Sequence, residues 1–135
     1  MSRPPASDRR LLVAIFAGGA IGAGLRTGLS QLAPPHPGQW PWATFAVNVL
    51  GCLLLGYFVT RLQERLPVTA YRRPFLGTGL CGGLTTFSTF QLELLRMIDR
   101  GEVLLVLLYG AGSLAAGFAG VMLGTALVRR ARLTW

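Results

Sequence analysis

Residues 82–90 read Gly-Gly-Leu-Thr-Thr-Phe-Ser-Thr-Phe, which puts glycines, hydroxyls and two aromatic rings within three helical turns. Gly77, Gly79, Gly82 and Gly83 precede Thr85, Thr86, Ser88 and Thr89, a poor composition for a helix interior. Two readings are open: a flexible, glycine-rich packing helix, or a helix broken at this point. A break frees main-chain carbonyls, and carbonyls at a broken membrane helix can coordinate a cation. Phe87 and Phe90 are three residues apart and share a helical face. That spacing suits core packing. It also suits two rings that turn their electropositive edges to an anion.

Other residues do not fit a plain lipid-facing helix. Asn48 has Thr44 one turn before it and Cys52 one turn after it. An amide in hydrocarbon needs partners, so Asn48 either bonds another helix or lines a polar path. Arg26 lies well inside an apolar stretch, where its charge must snorkel to the interface or line water and attract anions. Glu93 and Arg96 are three apart, the spacing of an intrahelical ion pair. Tyr109, Ser113, Gly117, Gly120 and Gly124 keep to one stripe, which reads as a helix–helix seam with two hydroxyls on it. Gly18/Gly22 and Gly24/Gly28 are GxxxG pairs that let helices approach closely. Cys52 and Cys81 fall in apolar runs and read as packing residues, and His36 sits in a proline-rich surface turn. No nucleophile–base pair or metal-ligand set is visible, so an enzyme is not expected.

The elements that position these residues follow from the composition. Of 135 residues, 52 % are hydrophobic and 13 % charged, about half the soluble norm of roughly 25 %, too few to cover a water-soluble globule. Four apolar stretches, at about 11–32, 42–60, 75–97 and 103–128, are each long enough to cross a bilayer core of about 30 Å as a helix. The segment at 33–41 contains prolines and a glycine, 61–74 contains arginines and prolines, and 99–102 is a tight charged turn. The expectation is one all-α integral membrane domain over 1–135, with four transmembrane helices and the third broken near its middle. A signal-peptide reading of the first stretch fails because the apolar pattern continues past Arg26 and three more spans follow.

The net charge is +8, and all thirteen cationic residues are arginine. They lie between the apolar runs, so the expected anionic partner is the lipid headgroup and not nucleic acid. With four spans, Arg3, Arg9, Arg10, Arg61, Arg65, Arg72, Arg73, Arg129, Arg130 and Arg132 share one side, against Arg26, Arg96 and Arg100 on the other. Ten against three predicts both termini in the cytoplasm, with the chain in the cell membrane.

With these residues in view, the chain resembles the Fluc/CrcB fluoride channels from about Leu11 to Val128. The residues that carry the resemblance are Gly82–Phe90, Asn48 in Asn-Val-Leu-Gly, and Arg26 at the end of Gly-Ala-Gly-Leu-Arg. The resemblance implies antiparallel dimers with two narrow pores that pass fluoride out of the cell. It implies a structural sodium ion at the dimer interface, held by backbone carbonyls of Gly82 and Thr85. Asn48, Phe87, Phe90, Tyr109 and Ser113 would line the fluoride pore, Arg26 the vestibule, and Glu93 would be the acid below the phenylalanines. One departure is Gly117, where the family's polar track usually continues with a hydroxyl residue. The other is the strong arginine bias. It suggests a subunit that inserts one way only, and hence an antiparallel heterodimer with an oppositely oriented paralogue in place of a homodimer.

Two other functions fit a small four-span protein less well. A proton-coupled small multidrug exporter needs a membrane-buried acid, which such exporters place in the first span, and here that span has none. A non-transporting membrane scaffold subunit would explain the glycine seams but not Asn48, the threonine-rich stretch or the phenylalanine pair.

Overall fold

The computed structural model describes residues 6–64 and 71–131. Arg3, Arg65 and Arg132, which enter the orientation tally, lie outside the described residues. Helix α1 runs Ala6–Leu32 and α2 Trp42–Glu64. A π-helical segment, Pro74–Cys81, leads into a single turn, α3, Gly82–Leu84. Helix α4 spans Phe87–Asp99 and α5 Val103–Arg130. Three helices, α1, α2 and α5, are long and apolar enough to cross a membrane. The stretch expected at 75–97 is divided among the π-helical segment, α3 and α4.

The helices pack through glycine. A Cβ on Gly22 would fall on the Leu80 carbonyl, and one on Gly83 would fall on the Gly19 carbonyl. The main chains of α1 and of the π-helical segment with α3 therefore touch directly. On the other side, a Cβ on Gly124 would meet the Leu53 carbonyl, and one on Gly56 the Val121 carbonyl, so α2 and α5 form a second such seam. The glycine stripe of α5 is that seam. The Gly24/Gly28 pair behaves differently, because a Cβ at either position meets nothing within 4 Å. The GxxxG spacing is present there, but it meets no neighbour among the described residues.

Helix ends are set by local chemistry. Gly101, at φ +72°, takes the left-handed conformation that ends α4. Its N–H donates to the Ile98 carbonyl at 2.9 Å, and the Glu102 N–H to the Met97 carbonyl at 2.9 Å, the paired bonds of a Schellman turn. This fixes the tight charged turn expected at 99–102. Arg100 then grips Glu102 through Nε at 3.0 Å and Nη2 at 3.1 Å, and this bond holds the guanidinium in its charged form.

The apolar residues of the long helices face outward. Phe16, Leu104, Leu114 and Phe118 are exposed, as expected of helices solvated by lipid chains. One buried hydrophobic cluster is formed by Phe90, Met97 and Tyr109, with Trp40 and Phe45 among the residues packed against it.

Candidate functional site

Helix α3 ends at Leu84, and its last helical bond runs from the Thr85 N–H to the Cys81 carbonyl. Thr85 (φ −76°, ψ 152°) and Thr86 (φ −144°, ψ 107°) are extended, and the helix resumes at Phe87. Thr86 caps the new helix: its Oγ1 accepts the Thr89 N–H at 3.1 Å and donates to Thr89 Oγ1 at 2.8 Å. Ser88 Oγ lies 3.4 Å from the same Thr86 hydroxyl. The threonine-rich composition thus has a local explanation, since a helix that restarts inside an apolar segment needs oxygen acceptors for its first N–H groups.

An interruption strands carbonyls as well as N–H groups. The N–H that would close a helical turn on the Gly82 carbonyl is that of Thr86, which donates instead to Asn48 Oδ1 at 2.8 Å. The N–H that would close on the Thr85 carbonyl is that of Thr89, which goes to the Thr86 hydroxyl. Among the described hydrogen bonds, neither carbonyl has another partner. Gly83 differs, because Arg26 Nε donates to its carbonyl at 3.3 Å. The Cys81 carbonyl takes both the Thr85 N–H and the Thr85 hydroxyl, each at 3.0 Å. Hard cations are bound by neutral oxygens of this kind, so the Gly82 and Thr85 carbonyls fit the donor chemistry of a sodium site. Among the described residues, no group of three or more His, Cys, Asp or Glu could hold a metal ion.

Of the two roles that its position in α2 left open, Asn48 takes the bond to another helix. Its Oδ1 accepts the Thr86 N–H and its Nδ2 donates to the Thr86 carbonyl at 3.2 Å, so it bonds the break across the helix interface. It also lines a cavity of about 660 Å³ together with Gly82, Thr85, Phe87, Phe90 and Ser113. Ser113 lines the cavity too, and its Oγ is buried with no hydrogen-bond partner among the described residues. The rings of Phe87 and Phe90 lie 6.1 Å apart. Phe90 is buried, whereas Phe87 is 68 % exposed and open to whatever adjoins the cavity. Gly117, Cys52 and Cys81 line the same cavity, and a Cβ on Gly117 would stand 3.4 Å from Cys52 Sγ.

One turn from Phe90, Glu93 is 6 % exposed and accepts two hydroxyls, Thr44 Oγ1 at 2.6 Å and Tyr109 OH at 2.6 Å. The ion pair that the spacing of Glu93 and Arg96 suggests is not among the described ion pairs. Both carboxylate oxygens turn toward α2 and α5, where short hydroxyl donors are available. Tyr109 is fully buried and is not a wall of the large cavity: its ring packs against Phe90 at 5.2 Å and against Trp40 at 5.3 Å. Trp40 was not singled out by the sequence, because it follows the proline-rich turn taken as surface. Its indole folds inward, and its Nε1 is buried without a partner among the described residues.

The site residues therefore separate into three groups. Asn48, Gly82, Thr85, Thr86, Phe87, Phe90 and Ser113 meet at the cavity beside the break. Ser88 and Thr89 serve the cap, and Arg26 braces Gly83. Glu93 and Tyr109 form a buried carboxylate–hydroxyl cluster with Thr44 behind Phe90.

Comparison with known proteins gives these groups a context. Residues 13–125 match the family model described as CrcB-like protein, Camphor Resistance (CrcB). A Mycobacterium bovis protein named fluoride-specific ion channel FluC 1 is 57 % identical over 129 residues, covering 96 % of this chain and 98 % of its own. A Nocardia farcinica protein named fluoride-specific ion channel FluC 2 is 45 % identical over 128 residues, covering 95 % and 91 %. A Chloroflexus aurantiacus protein named fluoride-specific ion channel FluC is 41 % identical over 119 residues, covering 87 % and 94 %. A family match across most of the chain, with relatives this similar over nearly their whole length, establishes that the chain belongs to the CrcB family.

Proposed function

We propose that this chain is a subunit of a fluoride-specific ion channel that lets fluoride leave the cell passively down its gradient. The observation that carries this reading is the convergence of Asn48, Phe87, Phe90 and Ser113 on one cavity at a helix interruption. The names of the relatives point the same way.

A channel must replace the hydration shell of its ion with groups on its walls. Fluoride holds water tightly, so the walls must offer donors and positive edges. Ser113 supplies an uncommitted hydroxyl. Asn48 holds Thr86 with both ends of its amide, which fixes the start of α4 and with it both phenylalanines. Ring edges carry positive potential and interact with an anion without binding it as tightly as a cation would.

The four-span topology is part of the proposal. Helix α4 alone, with 13 residues, is about 20 Å long and too short to cross. Residues 74–99 taken together would form the third crossing, with the break inside the protein where irregular backbone is tolerated. The working unit would be an antiparallel dimer in the plasma membrane, with the subunit's termini in the cytoplasm. At the dimer interface the Gly82 and Thr85 carbonyls of each subunit would hold a sodium ion, whose fixed charge would add positive potential beside the path.

Efflux of fluoride from proteoliposomes, followed with a fluoride electrode, tests the function. Release of trapped fluoride is expected without a proton gradient. No release, or release only against a proton gradient, would favour the exporter or scaffold readings. Glu93 is buried, but two hydroxyls occupy its carboxylate, which argues against its exchanging protons. For orientation, a reporter fused to the C-terminus is expected on one side of the membrane only, and an even mixture would remove the one-way reading. Co-purification of a second small subunit would decide between heterodimer and homodimer.

A further inference from the structure

Two side chains on the wall of the large cavity take no part in the channel reading. Cys52 on α2 and Cys81 at the end of the π-helical segment are the chain's only cysteines, and both are free thiols. Their place in apolar runs reads as packing. Yet both line the cavity of about 660 Å³ that Asn48, Phe87, Phe90 and Ser113 also line.

The fold brings the two residues together. A Cβ on Gly51, the neighbour of Cys52, would stand 3.9 Å from the Cys81 carbonyl. That carbonyl accepts both the Thr85 N–H and the Thr85 hydroxyl, which fixes the Cys81 backbone. The two thiols are near enough to interact electrostatically. Cys52 is half-buried and Cys81 is buried, so Cys52 is the open member of the pair. Gly117 on α5 helps to keep it open, because a Cβ there would stand 3.4 Å from Cys52 Sγ and a larger side chain would lie over the sulfur.

Two sulfurs do not make a tetrahedral zinc site, which needs four ligands. They do suit soft cations, which thiolates select, and silver(I) and mercury(II) take two sulfurs in a line. Sodium prefers hard oxygens, so the pair differs in chemistry from the Gly82 and Thr85 carbonyls.

We propose that Cys52 and Cys81 form a two-thiol site for a soft, thiophilic metal cation, and that metal bound there stops fluoride passage. Binding replaces two S–H bonds with two S–metal bonds. Both protons leave to water, and neither sulfur nor metal changes oxidation state. The metal fills part of the cavity, and its charge holds an anion that conduction requires to move on. The binding half stands on the two thiols alone, whereas the block rests on the fluoride-channel reading.

The probe is mercury(II), added to the whole protein in chloride-free buffer. In detergent, the ultraviolet absorption of the mercury–thiolate bonds is expected to saturate at one mercury per subunit, with both thiols lost to a thiol-titrating reagent. Cys52→Ser and Cys81→Ser should each weaken binding by about a hundredfold, the upper end of the loss caused by removing even an outer partner of a metal site. In proteoliposomes, mercury should stop wild-type efflux and dithiothreitol should restore it. Each variant, measured against its own mercury-free rate, should need about a hundredfold more mercury for the same block. Saturation at two mercury ions per subunit, or a single-serine variant that binds as tightly as wild type, would overturn the site. Cys52→Ser, at the half-buried position, keeps the test decisive if Cys81→Ser fails to fold. Unchanged efflux from mercury-saturated wild type would overturn the block. If wild type binds one mercury across the pair yet passes no fluoride before mercury is added, the channel reading fails and the site stands.

Discussion

Asn48 and Thr86 are joined twice: the side-chain amide donates to the Thr86 carbonyl at 3.2 Å and accepts the Thr86 N–H at 2.8 Å. One side chain thus completes the hydrogen bonding of a residue that the helix abandons. A buried peptide group left unpaired costs about 1–3 kcal/mol, so this amide is part of the reason the break is stable.

Asn48→Asp should slow or abolish fluoride efflux. The carboxylate still accepts the Thr86 N–H, but it cannot donate to the Thr86 carbonyl, and it puts a like charge beside the conducted anion. Electrode-monitored efflux is the readout, and undiminished flux would remove Asn48 from the pore.

Phe87→Ile and Phe90→Ile should both impair conduction, since neither isoleucine carries a polarised ring edge. Their effects on stability should differ. Phe90 packs against Tyr109 in the interior, and its loss should lower the melting temperature of the purified protein. Phe87 is exposed on the subunit, and its replacement should leave that temperature nearly unchanged. Normal conduction by both variants would end the ring-edge account.

Glu93→Ala leaves the hydroxyls of Thr44 and Tyr109 without their acceptor. Two stranded buried donors at about 1–3 kcal/mol each should destabilise the fold markedly. Glu93→Gln retains an acceptor and should be milder. Thermal unfolding in detergent ranks the three proteins, and equal melting temperatures would show that the cluster contributes nothing to stability.

Glycine substitutions in α1 should divide by position. Gly22→Ala drives a methyl group into the Leu80 carbonyl and should prevent normal packing. Gly24→Ala and Gly28→Ala meet nothing within 4 Å among the described residues and should be neutral, or stabilise α1 by about 0.5–1 kcal/mol through higher helix propensity. Size-exclusion profiles and melting temperatures distinguish the two classes.

Much of the fold was legible because hydropathy and breaker residues report directly on long apolar helices. The starts of α2 at Trp42 and α5 at Val103 coincide with the expected span limits, after Pro41 and after the turn that Gly101 makes possible. What escaped the sequence depended on tertiary partners. GxxxG spacing describes Gly18/Gly22 and Gly24/Gly28 equally, but only the first pair meets another backbone. The spacing of Glu93 and Arg96 permits an ion pair, and the choice fell to hydroxyls on α2 and α5. Tyr109 and Ser113 share a stripe, yet the bulk of Tyr109 carries its hydroxyl to Glu93 while Ser113 remains at the cavity wall. Trp40 gave no signal, because nothing local says that an indole after a proline-rich turn will fold inward.

The contact between α1 and the π-helical segment with α3 is made by peptide backbone on both sides, at Gly18 and Gly22 against Gly79 and Gly83. Such a contact offers selection no larger residue to exchange for a smaller one, because every available change adds atoms. Refinement of the neighbouring interruption must therefore come from its other flank, through α2. Sequence drift among related channels should be slow along the first surface and freer along the second.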